Sequence, residues 1–298
     1  MSELALPKVS ICIPTYNRSA GLEITLDSAV KQDYSNLEII VLDNASTDNT
    51  REIVMQFERR DSRVKYHVNQ ENIGATNNFN AVVKLAGSDY CMWLADDDWI
   101  ESGYISACMK ELVADPGLSL VSGINEVVYE DGKTRRGQVV NLLFSNRLLR
   151  VLAYYALVGD NGFFYGVHRK STLDQVSLVD KIGGDWFFVA ATVYLGKLKT
   201  VDGAMLHRSG EGASSDLKKL AISHGSSGIF QLDPNLAAAV GACQEVWSKD
   251  SVYTESGVLI RSLLGSLVFV GLVARKVLAQ RVYRGLRFIS RKTILAFR

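Results

Sequence analysis

The sequence predicts an α/β domain with a mixed, mainly parallel sheet, flanking helices and a helical C-terminal tail. Over residues 8–100, short apolar runs rich in β-branched residues alternate with segments whose apolar residues recur at helical spacing, which is the pattern of βαβ units. Three of these runs end in polar, turn-rich segments, as expected where parallel strands deliver loops to a ligand site. The chain of 298 residues, with 47% hydrophobic and 22% charged residues, is long enough for one large globular domain.

Each predicted strand in this first part is a short apolar run, and each predicted helix carries one apolar stripe. Pro14 ends the first run in a turn, and Ser19 is in position to cap the first helix. The predicted strands are residues 9–13, 38–42, 64–68 and 90–94, and the helices between them carry the stripes Leu22 and Leu26, then Ile53, Val54 and Phe57, then Phe79, Val82 and Val83.

The later part of the chain predicts further helices and strands. Ser102 is the expected cap of a helix that ends before Asp115-Pro116-Gly117, and Asp185 follows two glycines at the start of another helix. The predicted elements are helices at 103–114, 146–158 and 185–195 and strands at 118–129, 162–168 and 201–206.

The fourth apolar run ends in three adjacent carboxylates, Asp96, Asp97 and Asp98. Their mutual repulsion favours a bound cation, and Mg²⁺ or Mn²⁺ prefers oxygen ligands. A solvated acidic loop at a helix N-terminus is the alternative. Two other polar strand ends, 14–18 and 43–48, are predicted at the same sheet edge, which favours a binding site. The sequence has no glycine-rich phosphate loop, which excludes P-loop enzymes and dinucleotide-binding folds.

The four cysteines, Cys12, Cys91, Cys108 and Cys243, contain no CxxC pair and no zinc-site spacing. Cys12 and Cys91 lie in apolar runs, so we expect buried free thiols and a reducing compartment. Residues 1–8 lack a basic start followed by an apolar run, so we expect no signal peptide and a cytoplasmic location.

Four motifs in order resemble family-2 glycosyltransferases. They are VSICIPTYNR at 9–18, EIIVLDNASTD at 38–48, Asn-Ile-Gly at 72–74 with Asn78 after it, and LADDD at 94–98. The resemblance implies a GT-A fold, a nucleotide-sugar donor and a bacterial polysaccharide or O-antigen sugar transferase of the abequosyltransferase type.

This resemblance implies a domain division as well. A GT-A domain is expected over residues 1–210, with its nucleotide-sugar half at about 8–100 and its acceptor half at about 101–210. A flexible loop and a basic amphipathic helical region are expected over 211–298.

The resemblance further implies which side chains bind the donor. Asp43 is then the carboxylate that reads the nucleotide base, although capping of the following turn is an alternative use. Asn77 stands where the family often has a basic residue. The expected donor-binding residues are Pro14, Thr15, Tyr16, Asn17, Arg18, Asp43, Asn72, Asn78, Asp96 and Asp97.

For the metal, the family pattern implies Asp98 as the ligand and Asp96 as the contact to ribose and a further candidate ligand. Ala95 stands where the family often has an aspartate, which leaves the assignment open to a shift by one position. His207 is either an additional metal ligand or a structural histidine. Arg208 is expected to pair with the diphosphate, and the expected cofactor is Mg²⁺ or Mn²⁺.

Asp185 matches the family's catalytic base, which takes the proton of the acceptor hydroxyl in an inverting single displacement. The alternative use of Asp185 is as a helix N-cap. A noncatalytic sugar-nucleotide or polysaccharide-binding component of a membrane assembly, and a nucleotidyltransferase, are the alternative functions.

The C-terminal region after Glu255 has nine basic residues and no acidic residue. Its apolar stretch, 262–274, is shorter than the roughly 20 residues that span a bilayer, and beyond it basic and apolar residues interleave. We expect this region to lie on anionic lipid at the inner face of the plasma membrane, which suits a lipid-linked saccharide acceptor. A helical hairpin packed on the body is the alternative. No nucleic-acid partner is expected.

Overall fold

The computed structural model describes residues 6–210 and 233–274. Within these residues nine strands form one sheet. In chain order the strands are β1 (Val9–Thr15), β2 (Leu37–Asp43), β3 (Val64–Val68), β4 (Tyr90–Trp93), β5 (Trp99–Ile100), β6 (Leu118–Val128), β7 (Thr134–Arg136), β8 (Val167–Arg169) and β9 (Lys197–Ser209).

Helices join most of these strands and cover both faces of the sheet. The described helices are α1 (Ser19–Val30), α2 (Thr50–Arg60), α3 (Ala75–Lys84), α4 (Tyr104–Ala114), α5 (Arg147–Leu157), α6 (Lys170–Leu173), α7 (Gly184–Leu195), α8 (Pro234–Trp247) and α9 (258–274).

The sheet is mixed and mainly parallel, as predicted. Its order is β3-β2-β1-β4-β8-β6-β9-β5, with β7 paired to β6. Strands β1 to β4 pair in parallel with one another, and β6 pairs in parallel with β9, whereas β5, β7 and β8 run antiparallel to their neighbours. Every residue of β1 is buried, which explains why the first strand reads as a continuous apolar run.

Each face of the sheet has its own apolar core. The first core packs α1 and α4 against β1 and β2. The second packs α3, α5 and α7 around Trp93, whose ring stacks on Phe164 with centroids 4.7 Å apart. The Trp93 indole N–H donates to the Phe79 carbonyl at 2.9 Å. The end of β4 is therefore fixed immediately before the three aspartates.

The parallel pairing of β6 with β9 is the longest ladder in the described residues. It runs from Leu118 beside Lys197 to Val128 beside Ser209, with two irregularities in register. At its far end β9 also pairs with β5, and Trp99 lies opposite His207. The last residues of β9 are thereby carried to the loop that follows β4.

Three local predictions differ from the structure. The cap of α1 is Arg18 rather than Ser19, and α4 begins after Gly103 rather than at a Ser102 cap. The predicted strand 162–168 is wrong in its first half, because Gly162–Tyr165 forms a 3₁₀ turn. Hydrogen bonds internal to the loop stabilise this turn, since the Asp160 carboxylate accepts from the Gly162 N–H at 3.0 Å. The aromatic run is therefore a packed turn.

The described part of the C-terminal region packs on the body. Val246 of α8 and Leu264 and Val268 of α9 join the same apolar core as Tyr194. The opposite side of α9 exposes large aliphatic side chains: Leu259, Leu263, Leu267 and Val270. None of the helices in these residues is long and apolar enough to cross a membrane. The predicted loop after residue 210 and the basic segment 275–298 lie outside the described residues.

Candidate active site

The loops that follow β1 and β2 are held together by hydrogen bonds from Asn17. Its backbone N–H donates to the Ser46 hydroxyl at 2.9 Å, and its side-chain oxygen accepts from the Thr47 N–H at 2.8 Å. Asn17 has a φ of 52°, in the left-handed region that asparagine tolerates better than most residues. Beside it the Tyr16 ring is 44% exposed at the sheet edge and is available for stacking. Pro14 and Thr15 are the buried last residues of β1.

Asp43 ends β2 with a buried carboxylate, and each of its two oxygens accepts a hydrogen bond. One oxygen accepts from the Ser46 N–H at 2.8 Å and the other from the Tyr66 hydroxyl at 2.7 Å. Burial, together with the hydrogen bond and the charge of Asp43, raises the pKa of Tyr66. Asp43 thus performs the turn-capping role, and its oxygens keep further lone pairs for a base.

A network of amide side chains lies behind the Asp43 turn. Asn44 donates to the Asn72 oxygen at 2.8 Å and accepts from Asn69 and from the Ile73 N–H. Asn69 also donates to Asn78 at 2.9 Å, and Asn78 donates to the Leu42 carbonyl at the end of β2. Asn72 and Asn78 therefore support the turn from within. The sequence reasoning missed Asn44, which connects them.

The three aspartates face different partners. Asp96 accepts from the Tyr16 N–H at 3.4 Å, Asp97 pairs with Arg18 at 2.6 Å, and Asp98 accepts from the Ser209 N–H at 3.0 Å. Helix α1 approaches this loop closely, since a Cβ on Gly21 would lie 2.8 Å from the Asp96 carbonyl oxygen. The loop after β1 and the end of β9 therefore meet at the aspartates.

Two of these three carboxyl groups have pKa values well above the usual value for aspartate. Burial, with the neighbouring charge of Asp97, raises the pKa of Asp96 to about 6 and that of Asp98 to about 7. A cation at this position would relieve both effects. In the described parts of the chain no three His, Cys, Asp or Glu side chains converge as a ready metal site. Mg²⁺ commonly takes one or two carboxylates and completes its shell with substrate phosphates and water, so the oxygen donors here fit it.

His207 lies beside this loop with partners of its own. Its ring stacks on Trp99 with centroids 3.6 Å apart. Its Nδ1 lies 3.3 Å from Glu126, and its Nε2 lies 3.7 Å from Glu101. The contacts described for His207 are thus to two glutamates and an indole rather than to the aspartates.

Arg208 occupies the space between two buried carboxylates. Its Nη1 donates to Asp160 at 3.2 Å, and its Nε lies 3.9 Å from Asp98 and has no hydrogen-bond partner in the part of the chain that the structure describes. Its guanidinium lies 5.2 Å from the centre of the Tyr165 ring. Burial opposes the charge of Arg208, but Tyr165, Asp98, Asp160 and Asp185 outweigh burial and raise its pKa. Asp160 had no role in the sequence-based prediction.

Asp185 lies in the first turn of α7. The N-cap of this helix is Gly183, with a φ of 80°, so the alternative role of Asp185 as the N-cap is wrong. Asp185 accepts from the Asn161 amide at 3.0 Å. Burial raises the pKa of Asp185, while Asn161 and the charge of Arg208 oppose that rise. Asp160 accepts from Arg208, and the next residue, Asn161, donates to Asp185, so this pair of residues connects Arg208 to the start of α7.

Comparison with known sequences identifies relatives. The profile of glycosyl transferase family 2 matches residues 10–174. The Campylobacter jejuni GalNAc(5)-diNAcBac-PP-undecaprenol beta-1,3-glucosyltransferase is 30% identical over 60% of this chain and 57% of that protein. Salmonella typhimurium abequosyltransferase RfbV is 43% identical over 30% of this chain and 28% of that protein. The chain thus aligns with less than two thirds of the length of these relatives.

Solved structures share the fold. A mannosyltransferase from Pyrobaculum calidifontis, in complex with GDP-Man and Mn²⁺, gives a TM-score of 0.53 at 17% identity, over 91% of this chain and 87% of that one. S. aureus TarS 1-349, in complex with UDP-GlcNAc, gives a TM-score of 0.52 at 18% identity, over 89% of this chain and 81% of that one. The predicted GT-A fold is confirmed. Because the family profile matches more than half of its length, the chain belongs to glycosyl transferase family 2.

Proposed function

We propose that this chain is a metal-dependent, inverting glycosyltransferase that moves a sugar from a nucleotide-sugar donor to a lipid-linked saccharide in bacterial cell-surface polysaccharide synthesis. One observation carries the proposal. The buried cation Arg208 lies 3.9 Å from Asp98 and 3.2 Å from Asp160, and Asn161, the residue after Asp160, donates to Asp185 at 3.0 Å, so that a site for a departing diphosphate and a candidate base lie in the same region.

Donor binding is assigned to the loops at the carboxyl edge of β1 and β2. The exposed Tyr16 ring offers a stacking surface for a base, and Asp43 offers acceptor lone pairs to an imide or N1–H group. Two solved structures with this fold hold UDP-GlcNAc or GDP-Man. These complexes support a nucleoside diphosphate sugar as the class of donor.

Asp98 and Asp96 are the residues that would hold Mg²⁺ or Mn²⁺. When bound, the cation would balance the negative charge of the diphosphate as it departs. The raised pKa values of both carboxyls support this assignment, because a buried carboxylate that is hard to ionise gains most from a cation. The Mn²⁺ in the Pyrobaculum mannosyltransferase complex agrees with it. The ring of His207 already contacts Trp99, Glu101 and Glu126. For His207 to bind the metal, its Nε2 would have to move away from Glu101.

The chain's own residues supply the remaining chemistry. Asp185 takes the proton from an acceptor hydroxyl, and the hydroxyl oxygen forms a bond to the anomeric carbon. The bond from that carbon to the diphosphate oxygen breaks on the opposite face, and the diphosphate leaves with the electron pair towards Arg208. A single displacement of this kind inverts the anomeric configuration.

The lipid-linked acceptor and the membrane location rest on two further observations. The Campylobacter relative is named for an undecaprenol-linked acceptor. The outer side of α9 exposes Leu259, Leu263 and Leu267, and the segment that follows in sequence is rich in basic residues. Apolar and basic groups of this kind favour an anionic lipid surface. We therefore propose peripheral attachment at the inner face of the plasma membrane.

Transfer or hydrolysis across a panel of UDP-, GDP- and dTDP-sugars, with Mn²⁺ and with EDTA, tests the proposed activity. We expect metal-dependent turnover of one donor and loss of turnover in Asp185→Asn, with donor binding retained in calorimetry. Asp202→Asn makes the same chemical change at a side chain that is 83% exposed and should keep wild-type turnover. Donor binding without turnover in the wild type would instead support a noncatalytic sugar-nucleotide-binding component.

Co-sedimentation with vesicles tests the location. Ending the chain after Ala274 keeps α9, whose Leu264 and Val268 belong to the core. We expect the full chain to bind vesicles that contain anionic lipid and the shortened chain to bind them less. Equal binding of the two chains would contradict the membrane role of 275–298.

A further inference from the structure

The loop between α5 and β8, residues 158–166, buries two polar side chains beside the site. Asp160 and Asn161 are each 7% exposed. Burial of a carboxylate and an amide is unfavourable unless both find hydrogen-bond partners. Their partners therefore indicate what the loop does.

Asp160 binds two arginines from different strands. One oxygen accepts from Arg135 of β7 at 2.7 Å. The other accepts from Arg208 of β9 at 3.2 Å and from the Gly162 N–H at 3.0 Å. Tyr165, in the same loop, lies under the Arg208 guanidinium. The loop thus contacts Arg208 through the carboxylate of Asp160 and the ring of Tyr165.

The orientation of Arg208 indicates where an anion could bind. Its Nη1 donates to Asp160, whereas its buried Nε has no hydrogen-bond partner among residues 6–210 and 233–274 and lies 3.9 Å from Asp98. A buried donor without an acceptor is destabilising. The structure therefore holds an unused donor of Arg208 on the Asp98 side, where an anionic ligand oxygen would satisfy it.

Asn161 performs a parallel task on the other side of the loop. Its oxygen accepts from the Tyr154 hydroxyl at 2.6 Å, and its amide N–H donates to Asp185 at 3.0 Å. Because the hydroxyl occupies the oxygen end, the NH₂ end is directed to the carboxylate of Asp185.

We propose that Asp160 and Asn161 are positioning residues for the two halves of the reaction. Asp160 holds Arg208 on the side of the departing diphosphate, and Asn161 holds Asp185 on the side of the acceptor hydroxyl. Because the two residues are adjacent, one loop sets the position of both groups. The proposed function underlies this assignment, but the two tests below require no sugar transfer.

Calorimetric titration with magnesium and inorganic pyrophosphate tests Asp160. Asp160→Asn removes the charge that holds Arg208, so we expect about tenfold weaker binding. Arg208→Lys keeps the charge but loses the planar fork and should show a similar loss. Arg135→Gln is the matched control, since it frees the other oxygen of Asp160, and its binding should stay within about twofold of wild type.

Three results would contradict the positioning role of Asp160. Wild-type binding in Asp160→Asn, or an equal loss in Arg135→Gln, would overturn its positioning role, as would a wild type that binds no pyrophosphate. If thermal melting shows that Asp160→Asn fails to fold, Asp160→Ser, which also removes the charge that holds Arg208, takes its place in the titration.

The pH dependence of Trp186 fluorescence tests Asn161, because Trp186 adjoins Asp185. Arg208, Tyr155 and Tyr165 also interact electrostatically with this carboxylate. The transition that belongs to Asp185 is the one that Asp185→Asn removes. Asn161→Ala deletes a hydrogen bond that favours the charged form, so we expect its midpoint to rise by about one pH unit. An unchanged midpoint, or identical titrations of wild type and Asp185→Asn, would overturn the role of Asn161.

Failure of the proposed function is a different result. A protein that turns over no nucleotide sugar could still show both the pyrophosphate effect and the shifted midpoint. A protein with metal-dependent transfer, but without these two effects, would keep its function and lose the positioning roles.

Discussion

Two buried aspartates at one edge of the sheet have different environments. Asp43 is 2% exposed and Asp98 is 4% exposed. Asp43 is satisfied by neutral donors, the Ser46 N–H and the Tyr66 hydroxyl. Asp98 receives one backbone N–H, lies near the charges of Asp96 and Asp97, and faces Arg208 at 3.9 Å. The hydrogen-bond donors of the protein satisfy the carboxylate at the end of β2. The carboxylate after β4, once ionised, has a charge that a ligand would compensate.

The difference follows from the partners that each half of the sheet provides. Asp43 belongs to the parallel half, where a turn and an adjacent strand supply its donors. Asp98 lies where that half meets the long ladder of β6 and β9, and its neighbours arrive from distant parts of the sequence. The two aspartates therefore differ in how far the protein's own groups compensate the carboxylate.

The largest difference between the two aspartates is expected in the transfer activity of Asp98→Asn. We expect transfer to fall about 10³-fold, because charge stabilisation near the diphosphate is lost. Asp43→Asn, the same change at the completed carboxylate, should lower kcat/KM about tenfold through weaker donor binding. Steady-state kinetics with the donor identified in the screen provides the measurement. Equal losses in the two variants would remove the distinction.

The next effect is on the pH dependence of stability. The folded chain holds a proton on Asp98 up to a pKa of about 7, whereas an unfolded aspartate loses it near pH 3.9. The folded state therefore binds more protons in this window, and stability falls as the pH rises. Asp98 should contribute a decrease of about 3 kcal/mol between pH 5 and 8.

Urea denaturation of wild type and Asp98→Asn, without metal, measures this contribution as a difference. The comparison between variants is needed because His168, whose pKa burial lowers to about 4, acts in the opposite direction below about pH 6.5. Parallel stability curves for the two proteins would show that Asp98 carries no such cost.

A smaller effect on stability is expected for the amide network behind Asp43. Asn44→Ala removes the acceptor for Asn69 and the Ile73 N–H and the donor to Asn72, so the free energy of unfolding should fall by about 2 kcal/mol. The urea midpoint should move while the m-value stays constant. Asn77→Ala is the control, because Asn77 is exposed and the hydrogen bond described for its side chain is to the Ile73 carbonyl. Similar midpoints for the two variants would contradict a supporting network.

The smallest effect is expected for Tyr66→Phe. It removes one neutral donor from Asp43 and should lower the free energy of unfolding by about 1 kcal/mol. Donor affinity should change less than threefold, because the Ser46 N–H still holds the turn. A loss of affinity as large as that of Asp43→Asn would mean that Tyr66 also contacts the nucleotide.

The parallel half of the fold was predictable from sequence because its pattern is local. Each strand, from β1 to β4, is an apolar run followed by a turn and a helix with one apolar stripe, so the strand ends and Asp43 could be placed at one edge. The order of the motifs also predicted the family, and the family profile confirms it. The donor, metal and base roles of the individual residues remain predictions.

The role of the loop around Asp160 was not predictable, because its contacts are to residues that are distant in sequence. Gly159-Asp-Asn-Gly162 reads as an ordinary turn, and only the fold brings Arg135, Arg208 and Asp185 to it. The contacts of His207 likewise follow from the register of β6 with β9, which places Glu126 beside it. The one signal in the sequence is that two polar residues, Asp160 and Asn161, stand between the mainly apolar segments 148–158 and 163–167.

The ladder between β6 and β9 has a consequence for how the protein folds. It joins Leu118 to Lys197 and Val128 to Ser209, so a long stretch of chain must be closed before the pairing forms. Contacts between residues far apart in sequence form slowly, whereas β1, α1 and β2 need only local contacts. We expect the nascent chain to complete the Asp43 turn early. Arg208 is expected to reach Asp98 only when the last strand docks, so the competent site would be among the last parts of the molecule to form.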